Sequence, residues 1–548
     1  MKKLYLLSLL GITLMKIQAQ TFEWSKVEGL YAYDYGYGVT TDNSGNLYVA
    51  GKYEMNANFS GTILPCQGNH DIYVAKYTSS GTLSWITTAG GTLGDYAHGI
   101  ACDGSYLYVA GEIEGYGNLI KFQGSTITLN SVGDNDIFLA KYDLDGNLLW
   151  AKSSGGSYND KGQAVTYDNS GNVYVAGFFN DTATFGGTTI HGYTNGLNDI
   201  FVAKYDKDGN FLWVRQAGSS GRDEVKGVKC DADGNVYICG LYSDGVAFGS
   251  EILNSPYGYY NIFVTKYSAD GTLQWAKPAG GDVDDVAWAM AIDKSGKIYV
   301  TGEYNAYAVF GSYALTATGN ADVFVACYNN SGDVQWVKSA GGGLIDRARG
   351  IGLDGNNILI TGQFGSTASF GSTTLTAADS SDIFMAELDN SGNYMWAKSI
   401  GGSPDSVETL GYESGNDICG DGNGSIYATG SLLNGGVFGS VTLPQYSRTD
   451  VFITKLSLVT GINELAENKN ILLYPNPNSG NFTIGIKQFV GQKIEMNITN
   501  ALGELVDSRT EIASSDLNID LSAKEKGIYF AEIKIADQKS FRGKIIVQ

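Results

Sequence analysis

Carboxylates at fixed spacing are the first residues in this sequence that could do chemistry. An aspartate follows most members of a tryptophan series by ten residues, at Asp34, Asp95, Asp160, Asp223, Asp285 and Asp346, with Asp405 at nine. A ring of carboxylates could hold Ca²⁺ or bind a polyol. A side chain present in every repeat more often caps a turn, because an active site in a ring normally breaks its symmetry. We therefore expect these aspartates to be architectural.

The second carboxylate pattern is DxDG, at Asp143, Asp206 and Asp231, which resembles a calcium loop. Equivalent turns read TSSG at Thr78 and NNSG at Asn329, so the carboxylates are dispensable. The distal glutamate of a calcium loop is also missing. The pattern predicts hairpin turns, and we predict no metal and no cofactor, calcium being possible but unsupported.

Other candidate catalytic groups are scarce. A lysine recurs in one predicted strand, with Cys327 and Glu387 in two of its places; the lysines are Lys76, Lys141, Lys204, Lys266 and Lys455. A lysine in an apolar strand needs a partner, and we expect an ion pair with an acid of a neighbouring repeat. The histidines His70, His98 and His191 lie in three different repeats. No GxSxG, HExxH or P-loop is present.

The elements that position these residues repeat with a period near sixty. The tryptophans are Trp24, Trp85, Trp150, Trp213, Trp275, Trp336 and Trp396, and a glycine keeps the same period from Gly51 to Gly430. Each repeat contains four short runs rich in β-branched and aromatic residues, such as Leu47–Tyr53 and Asp71–Tyr77. A period of this length predicts a ring or an array of all-β units.

The two ends of the repeat region decide between a ring and an array. The last repeat, DVFITKL, ends without its tryptophan strand, whereas Trp24 stands before the first glycine phrase. An N-terminal strand that completes the last sheet would remove an exposed edge. We therefore predict an all-β fold in which residues 20–457 form a seven-bladed β-propeller closed by an N-terminal strand.

Binding residues are expected where the sevenfold pattern is broken. Alternating strand direction places the second-to-third and repeat-to-repeat loops on one face, and these loops are long and variable. Tyr257, Tyr259 and Tyr260 cluster in one of them, and Trp288 is the only tryptophan outside the series. Exposed aromatic faces suit stacking on sugar rings or partner proteins. Weaker candidates are the alternating tyrosines between 31 and 37 and an insertion around residues 403–416.

The N-terminus and the composition indicate export. Residues 1–19 contain Lys2 and Lys3, then an apolar run too short to span a bilayer, as in a signal peptide. Their removal takes away three lysines, leaving 33 basic and 57 acidic residues and a net charge of −24. Such a surface disfavours nucleic acid, and no later segment predicts a transmembrane span. Six scattered cysteines are expected to be buried free thiols.

The repeats resemble a known family. DIFVAKYDKDGNFLWVRQAGSSG at Asp199–Gly221, with DNSGNVYVAGFF at Asp168–Phe179 and TATFGGTTI at Thr182–Ile190, is similar to the bacterial seven-bladed β-propeller (SBBP) repeat. The resemblance covers all seven repeats. It implies the fold and an extracellular setting, and it brings no agreed catalytic residues.

A different texture begins near residue 471, where alternating apolar strands predict a small Ig-like β-sandwich up to residue 548. This region resembles the type A C-terminal sorting domain of the type IX secretion system of Bacteroidota. The matching residues are Tyr474, Pro475, Asn476, Pro477, Gly480, Asn500, Gly503, Leu521, Gly527, Tyr529 and the terminal stretch from Lys544. The resemblance implies export through the type IX translocon, processing by its sorting machinery, and release or anchoring at the outer surface. Residues 458–470 are then a linker.

Two functions remain open from the sequence. The first is a secreted or cell-surface propeller without catalytic activity that binds polysaccharide or protein through the long-loop face. The alternative is a secreted carbohydrate-active hydrolase or lyase on the same scaffold. A carboxylate pair in one pocket, flanked by aromatic residues, would favour the enzyme, whereas a shallow and uniformly lined channel would favour binding.

Overall fold

The computed structural model shows two compact units, one within Thr21–Ser457 and one within Leu458–Gln548. The structure describes residues 20–29, 32–193, 197–243, 245–255, 259–401, 413–433, 435–439, 441–443, 448–458, 472–474, 478–485, 489–500, 505–514, 516–535 and 539–547. Strands and turns dominate both units. No helix in these ranges is long and apolar enough to cross a membrane.

The larger unit begins with β1 (Gln20–Glu28) and continues through seven repeats of strands. Repeat 1 contains β2 (Tyr35–Thr41), β3 (Leu47–Tyr53), β4 (Asn56–Phe59), β5 (Thr62–Pro65), β6 (Asp71–Tyr77) and β7 (Leu83–Gly90). Repeat 2 contains β8 (Asp95–Cys102), β9 (Tyr106–Glu114), β10 (Leu119–Phe122), β11 (Thr128–Asn130), β12 (Asn135–Asp143) and β13 (Leu148–Ser154). Repeat 3 contains β14 (Lys161–Tyr167), β15 (Val173–Asn180), β16 (Thr182–Phe185), β17 (Thr188–His191), β18 (Asn198–Tyr205) and β19 (Phe211–Ala217). Repeats 4 and 5 contain β20 (Glu224–Cys230), β21 (Val236–Tyr242), β22 (Val246–Phe248), β23 (Glu251–Leu253), β24 (Asn261–Tyr267), β25 (Leu273–Gly281); β26 (Val286–Ile292), β27 (Ile298–Tyr304), β28 (Tyr307–Phe310), β29 (Tyr313–Thr316), β30 (Asp322–Tyr328) and β31 (Val334–Gly342). Repeats 6 and 7 contain β32 (Arg347–Asp354), β33 (Asn357–Phe370), β34 (Thr373–Leu388), β35 (Tyr394–Ile400); β36 (Ser414–Gly420), β37 (Ser425–Leu433), β38 (Gly436–Phe438), β39 (Val441–Leu443) and β40 (Thr449–Leu458).

Each repeat folds as an antiparallel meander of four main strands, exemplified by β14-β15-β18-β19. The second and third strands are buried along nearly their whole length because apolar residues occupy both faces. The last meander takes its fourth strand from the N-terminus, in the order β1-β40-β37-β36. The first strands contact one another in the order β2, β8, β14, β20, β26, β32 and β36, and β36 also contacts β2.

A hairpin between the second and third strands links each repeat to the one before it. β10 pairs with β7 through Lys121 and Gly90, and β28 pairs with β25 through Val309 and Gly280. The remaining junctions in the described ranges pair Gly29 with Asn58, Gly155 with Thr184, Gly218 with Ala247, Gly341 with Ser369 and Gly401 with Val437. Each of these glycines stands five residues after a series tryptophan.

The tryptophan and lysine of one repeat both donate hydrogen bonds to a single backbone carbonyl in the turn of the next repeat. We call this contact the tryptophan clamp. Lys76 Nζ and Trp85 Nε1 donate to the Leu144 carbonyl at 3.1 and 3.0 Å. Lys455 and Trp24 likewise donate to the Ser79 carbonyl at 3.2 and 3.0 Å, which links the last meander to the first. The same pattern occurs with Lys141 and Trp150 on Lys207, and with Lys204 and Trp213 on Ala269.

The predicted partner, an acid of a neighbouring repeat, is therefore wrong, although Lys204 and Lys455 do form ion pairs. The neighbour supplies a backbone carbonyl, because the turn of each repeat presents one to the tryptophan edge. Carboxylates contact only two of these lysines in the described structure, and both come from the lysine's own sheet: Asp168 lies 3.4 Å from Lys204, and Glu23 lies 2.9 Å from Lys455. The lysines also lie over tyrosine rings, as Lys204 does over Tyr174 at 4.8 Å.

Glu387 replaces the lysine where the neighbouring turn does not exist. The seventh meander receives its fourth strand from the N-terminus, so no hairpin turn joins its third and fourth strands. Trp396 Nε1 then lacks the usual carbonyl acceptor. It donates instead to the Glu387 carboxylate, which also accepts from Asn357 Nδ2 at 2.6 Å. A carboxylate acceptor has replaced the lysine donor at this position because Trp396 has no turn carbonyl to bind.

The aspartates of the series bind backbone N–H groups at the ends of two strands. Asp160 Oδ1 accepts from the N–H of Asn180, which ends β15, and its Oδ2 accepts from the N–H of Gly156 after β13. Asp285 and Asp346 repeat both contacts, Asp346 with Gly342 and Gly365, whereas among the described residues Asp34 makes only the strand-end contact, with Glu54. Side chains supply one of the two donors to Asp95 and Asp223, from Asn118 and Ser219. In the last repeat the register places Glu413 at the equivalent position, whereas Asp405 lies outside the described residues.

Burial raises the pKa of these carboxyl groups against the hydrogen bonds that lower it. The pKa rises to about 8 for Asp34, Asp95 and Asp160, to about 7 for Asp223 and Asp285, and to about 6 for Asp346. A second aspartate at the start of the third strand, such as Asp136 beside Asp160, adds to the effect.

The smaller unit has two sheets around one core. One contains β41 (Leu472–Tyr474), β42 (Asn481–Gly485) and β45 (Leu517–Asp520); the other contains β43 (Lys493–Asn500), β44 (Leu505–Ile512), β46 (Gly527–Ile535) and β47 (Lys539–Val547). Phe482 and Ile519 from the first sheet pack with Met496 and Ile533 from the second. The strands alternate buried and exposed residues, as expected of sheets with one solvated face.

Several predicted sorting residues have structural roles in this unit. Gly480 has a φ of +102°, and a Cβ there would lie 2.4 Å from Ser522 Cα. Tyr529 is buried and its hydroxyl donates to the Glu525 carbonyl at 2.6 Å. Tyr474 is half exposed. Gly527 begins β46, and Lys544 pairs with Phe530 in β47. Pro475, Asn476, Pro477 and Gly503 lie outside the described residues.

Substitution of the turn glycine that the tryptophan covers should be more destabilising than substitution of an open turn glycine. Gly209 and Gly187 have φ values of +79° and +90°, but a Cβ on Gly209 would lie 2.9 Å from the Trp150 ring, whereas one on Gly187 meets nothing within 4 Å. We expect Gly209→Ala to lower the free energy of unfolding by about 1–2 kcal/mol more than Gly187→Ala. Denaturant titration of the two variants measures the difference, and equal losses would contradict the clamp.

Stability should fall as the pH rises through the range in which the buried aspartates lose their protons. Their folded pKa lies above the unfolded value of 3.8, so the folded protein retains protons, and ionisation between about pH 4 and 8 destabilises it. Asp160→Asn should flatten the fall in melting temperature between pH 5 and 8. Asp206→Asn is the control, because this exposed turn carboxylate has a lowered pKa. An unchanged slope in Asp160→Asn would contradict the assignment.

Candidate ligand-binding site

Every first strand carries a β-bulge near its start. In β2 the pairing skips Tyr37, since Gly36 pairs with Gly51 and Gly38 with Ala50. The pairing shifts at the equivalent place in β8, β14, β20, β26, β32 and β36. A bulge leaves one residue unpaired and turns its side chain out of the ladder. All seven extra residues contribute to one central cavity of about 260 Å³.

The seven bulge residues differ from one another although their backbone positions are equivalent. They are Tyr37, His98, Gln163, Lys226, Trp288, Arg349 and Asn416. The repeat scaffold is regular at the tryptophan, glycine and aspartate positions. It is irregular here, three residues after the series aspartate and close to the long-loop end of the strand. The lining is therefore neither uniform nor symmetric.

One side of the cavity is cationic and aromatic. Trp288 lies between two cations: Lys226 Nζ is 5.1 Å and the Arg349 guanidinium carbon 4.7 Å from its ring centre. Glu224 lies 2.6 Å from Lys226. Burial lowers the pKa of Lys226, and the neighbouring Glu224 opposes that shift. Arg349 Nε is buried and has no hydrogen-bond partner among the described residues.

The opposite side contains stacked aromatic rings and a histidine. The Tyr37 ring lies 5.4 Å from the His98 ring, and Tyr96 stacks on His98 at 5.6 Å. His98 Nε2 is 3.1 Å from Glu112 Oε1, and Lys161 Nζ is 2.9 Å from the same carboxylate. Burial acts to raise the pKa of Glu112, but His98 and Lys161 outweigh it and hold this pKa at about 2. Glu112 is thus an ionised partner, not a proton donor.

Asp417 is the carboxylate that lines the cavity itself, and burial raises its pKa to about 6. Its Oδ2 accepts from the Val39 N–H at 2.8 Å. Hydrolysis of a glycosidic bond commonly needs two carboxyl groups flanking the bond. The described lining supplies one, already engaged with the backbone.

The predicted aromatic residues meet in a groove beside the cavity. Tyr259, Tyr260 and Trp288 line a groove of about 650 Å³, which shares Lys226 and Trp288 with the central cavity. Tyr259 is exposed, and Tyr260 lies 5.8 Å from the Arg222 guanidinium carbon. Tyr257 and most of the 403–416 insertion lie outside the described residues.

The remaining chemical candidates lie apart from one another. His70 lies between Glu54 and Glu114, 3.7 Å from each, and burial lowers its pKa to about 4. The carboxylates of Asp143, Asp206 and Asp231 each accept backbone N–H groups of their own turns, as predicted for hairpin turns. No group of three or more metal-binding side chains is found in the described part of the chain. All six cysteines are free thiols, and two of them, Cys239 and Cys327, have no exposed surface.

Sequence reasoning identified Trp288, included Tyr37 and Asn416 in two weaker candidates, and missed His98, Gln163, Lys226 and Arg349 as members of one ring. Trp288 was conspicuous because it interrupts the tryptophan period, whereas a variable position leaves no repeat signal. One signal was available: Tyr37, His98, Gln163, Lys226 and Arg349 stand thirteen residues after a series tryptophan, as Trp288 does. Only the register with the second strand shows that this position is a bulge.

Two family models match parts of the chain. Residues 24–52 match the beta-propeller repeat, and residues 472–548 match the secretion system C-terminal sorting domain. The chain thus contains a segment that matches the beta-propeller repeat and a C-terminal region that matches the sorting domain. The sorting domain indicates secretion to the cell surface or beyond.

Curated relatives match over a limited length. An uncharacterised WD repeat-containing protein, L264 of Acanthamoeba polyphaga mimivirus, is 28% identical over 36% of this chain and 17% of its own length. The regulatory protein FlaEY of Caulobacter vibrioides is 25% identical over 57% of this chain and 34% of its own length. The chain thus spans only 17% and 34% of the length of these relatives.

Among solved structures, the quinohemoprotein alcohol dehydrogenase of Comamonas testosteroni is similar with a TM-score of 0.35 and 11% identity, covering 84% of this chain and 80% of that one. Sqt1 of Chaetomium thermophilum is similar with a TM-score of 0.33 and 8% identity, covering 79% of this chain and 99% of that one.

Proposed function

We propose that residues 20–457 form a closed seven-bladed β-propeller that binds polysaccharide or protein without catalysis, through its long-loop face. Support for the closed ring comes from the pairing of β1 with β40, the contact of β36 with β2 and the Trp24 clamp on Ser79. The observation that carries the binding function is the ring of seven different side chains at one equivalent position. A purely structural ring would repeat its lining.

The proposal extends to the route of export. Residues 1–19 act as a signal peptide, and a Bacteroidota cell exports the chain through its type IX translocon, with residues 471–548 as an Ig-like sandwich that the sorting machinery recognises and removes. The two-sheet core of this region and its family match support that role. The released or surface-anchored propeller then presents its long-loop face outward.

Polysaccharide is the ligand class that the lining favours over protein. Trp288, Tyr259 and Tyr260 offer aromatic faces within one continuous space, and aromatic faces stack on the apolar faces of sugar rings. Amide, imidazole and phenol groups from Gln163, Asn416, His98 and Tyr37 supply hydrogen bonds for hydroxyl groups. A concave site with few convergent polar groups is typical of small-ligand binding.

The runner-up is a polysaccharide lyase. Its specific support is the contact of Tyr37 with His98 across the cavity from Arg349, because proton abstraction beside a carboxylate needs a base, an acid and a cation. Burial raises the pKa of Tyr37 above its ordinary value, which disfavours the phenolate needed in a tyrosine base. We therefore rank binding first.

A glycan array and a polysaccharide pull-down with the purified protein test the proposal, with released sugar ends and unsaturated products followed in the same wells. We expect retention without release, and Trp288→Ala should reduce retention about tenfold or more, as expected when an aromatic anchor is truncated. Ile252→Ala, in an exposed residue of a peripheral hairpin, is the control and should bind normally. Unsaturated products would establish a lyase and saturated reducing ends a hydrolase, and retention of no glycan would refute polysaccharide binding.

A further inference from the structure

We infer that the central cavity binds an acidic sugar, a pyranose carrying a carboxylate or sulfate, against Arg349 and Lys226 with its ring beside Trp288. The inference rests on the proposed function and specifies its substrate class. The cavity lies at the convergence of all seven first strands, and its volume of about 260 Å³ suits one sugar ring and not a folded protein segment.

The charges that line the cavity point to an anion. Lys226, Lys229 and Arg349 face it, against the single carboxylate of Asp417, whose pKa burial raises to about 6. The protein as a whole is strongly acidic, with 57 acidic and 36 basic residues. The charge of the cavity lining is therefore opposite in sign to the net charge of the protein. Clefts lined by one sign of charge concentrate ligands of the opposite sign.

Lys226 is already paired with Glu224, so Arg349 is the cation on this side of the cavity that remains available. Glu224 lies 2.6 Å from Lys226 and also contacts Arg222, and Glu303 contacts Arg347. Neither of these two carboxylates lines the cavity. Arg349 retains a buried Nε with no hydrogen-bond partner among the described residues. An unpaired buried donor costs free energy, and an anionic ligand would satisfy it.

Trp288 gives the anion site a direction. Arg349 and Lys226 lie over its ring at 4.7 and 5.1 Å. Trp288 also lines the groove formed by Tyr259 and Tyr260. A saccharide bound with its charged substituent against Arg349, beside the Trp288 ring, can therefore extend along the groove over these tyrosines. The expected ligand is a chain of sugars, one of which, inserted in the cavity, carries the charge.

Isothermal titration of the purified protein against matched oligosaccharides tests the inference. The probes are an oligogalacturonate, a sulfated galactan oligomer and a neutral galactan oligomer of similar length. We expect binding of one or both acidic probes at least tenfold tighter than the neutral probe, and weaker at high salt. Tight oligogalacturonate binding identifies a carboxylate ligand, whereas tight binding of only the sulfated oligomer identifies a sulfate.

Charge-removing variants locate the site. Arg349→Gln and Lys226→Gln should each weaken acidic-probe binding about tenfold, as is typical of a buried contact residue, and weaken neutral-probe binding much less. Lys121→Gln, an exposed lysine on a peripheral hairpin, is the matched control. Thermal unfolding of each variant excludes misfolding, and Arg349→Lys should restore part of the affinity, because it retains the charge without the planar fork.

The outcomes separate the two claims. Equal binding of neutral and acidic probes, or acidic binding unchanged by both Gln variants, overturns the acidic-sugar inference while the glycan-binding proposal stands. Binding of no sugar by the intact protein refutes both.

Discussion

The larger unit depends on one recurring interaction: the tryptophan edge of one repeat bound to the turn of the next, with Trp396 as the exception. Trp85 and Lys76 share the Leu144 carbonyl, and the ring of Trp85 covers Gly146 in the same turn. Residue 146 must be glycine for two reasons: its φ is positive, and its Cα faces the Trp85 indole. Each meander is apolar on both faces and cannot bury them alone. The clamp therefore joins units that would be unstable singly.

This arrangement separates stability from recognition. The clamps, the hairpin links and the buried aspartates lie at the turns, the junctions and the strand ends. The bulge residues face a central cavity and contribute little to the clamps, so they can differ from repeat to repeat. The result is a regular frame around an irregular lining, in which Lys226, Trp288 and Arg349 occupy one side and Tyr37 and His98 the other. Function on this scaffold is a matter of side-chain choice at one repeated position.

The parts of the structure that could be predicted from sequence are those with a repeat signal. The period of the tryptophans predicted the meanders, and the displaced Trp24 predicted that β1 would pair with β40. Three features of the structure could not be predicted from the sequence. The lysine partner is a carbonyl, which no sequence pattern identifies. The hairpin links depend on a glycine after each tryptophan strand, which looks like an ordinary turn. The bulge depends on register, and its residues share no type.

Hydrogen exchange of the intact protein measures the central claim most directly, because it reports whether the N-terminal strand completes the last meander. β40 lies between β37 and β1, as β24 lies between β21 and β25. Mass spectrometry should find peptides from 449–458 protected as strongly as those from 261–267, and more strongly than the peripheral hairpin at 119–130. Rapid exchange across 449–458 would show an unpaired edge and contradict the account.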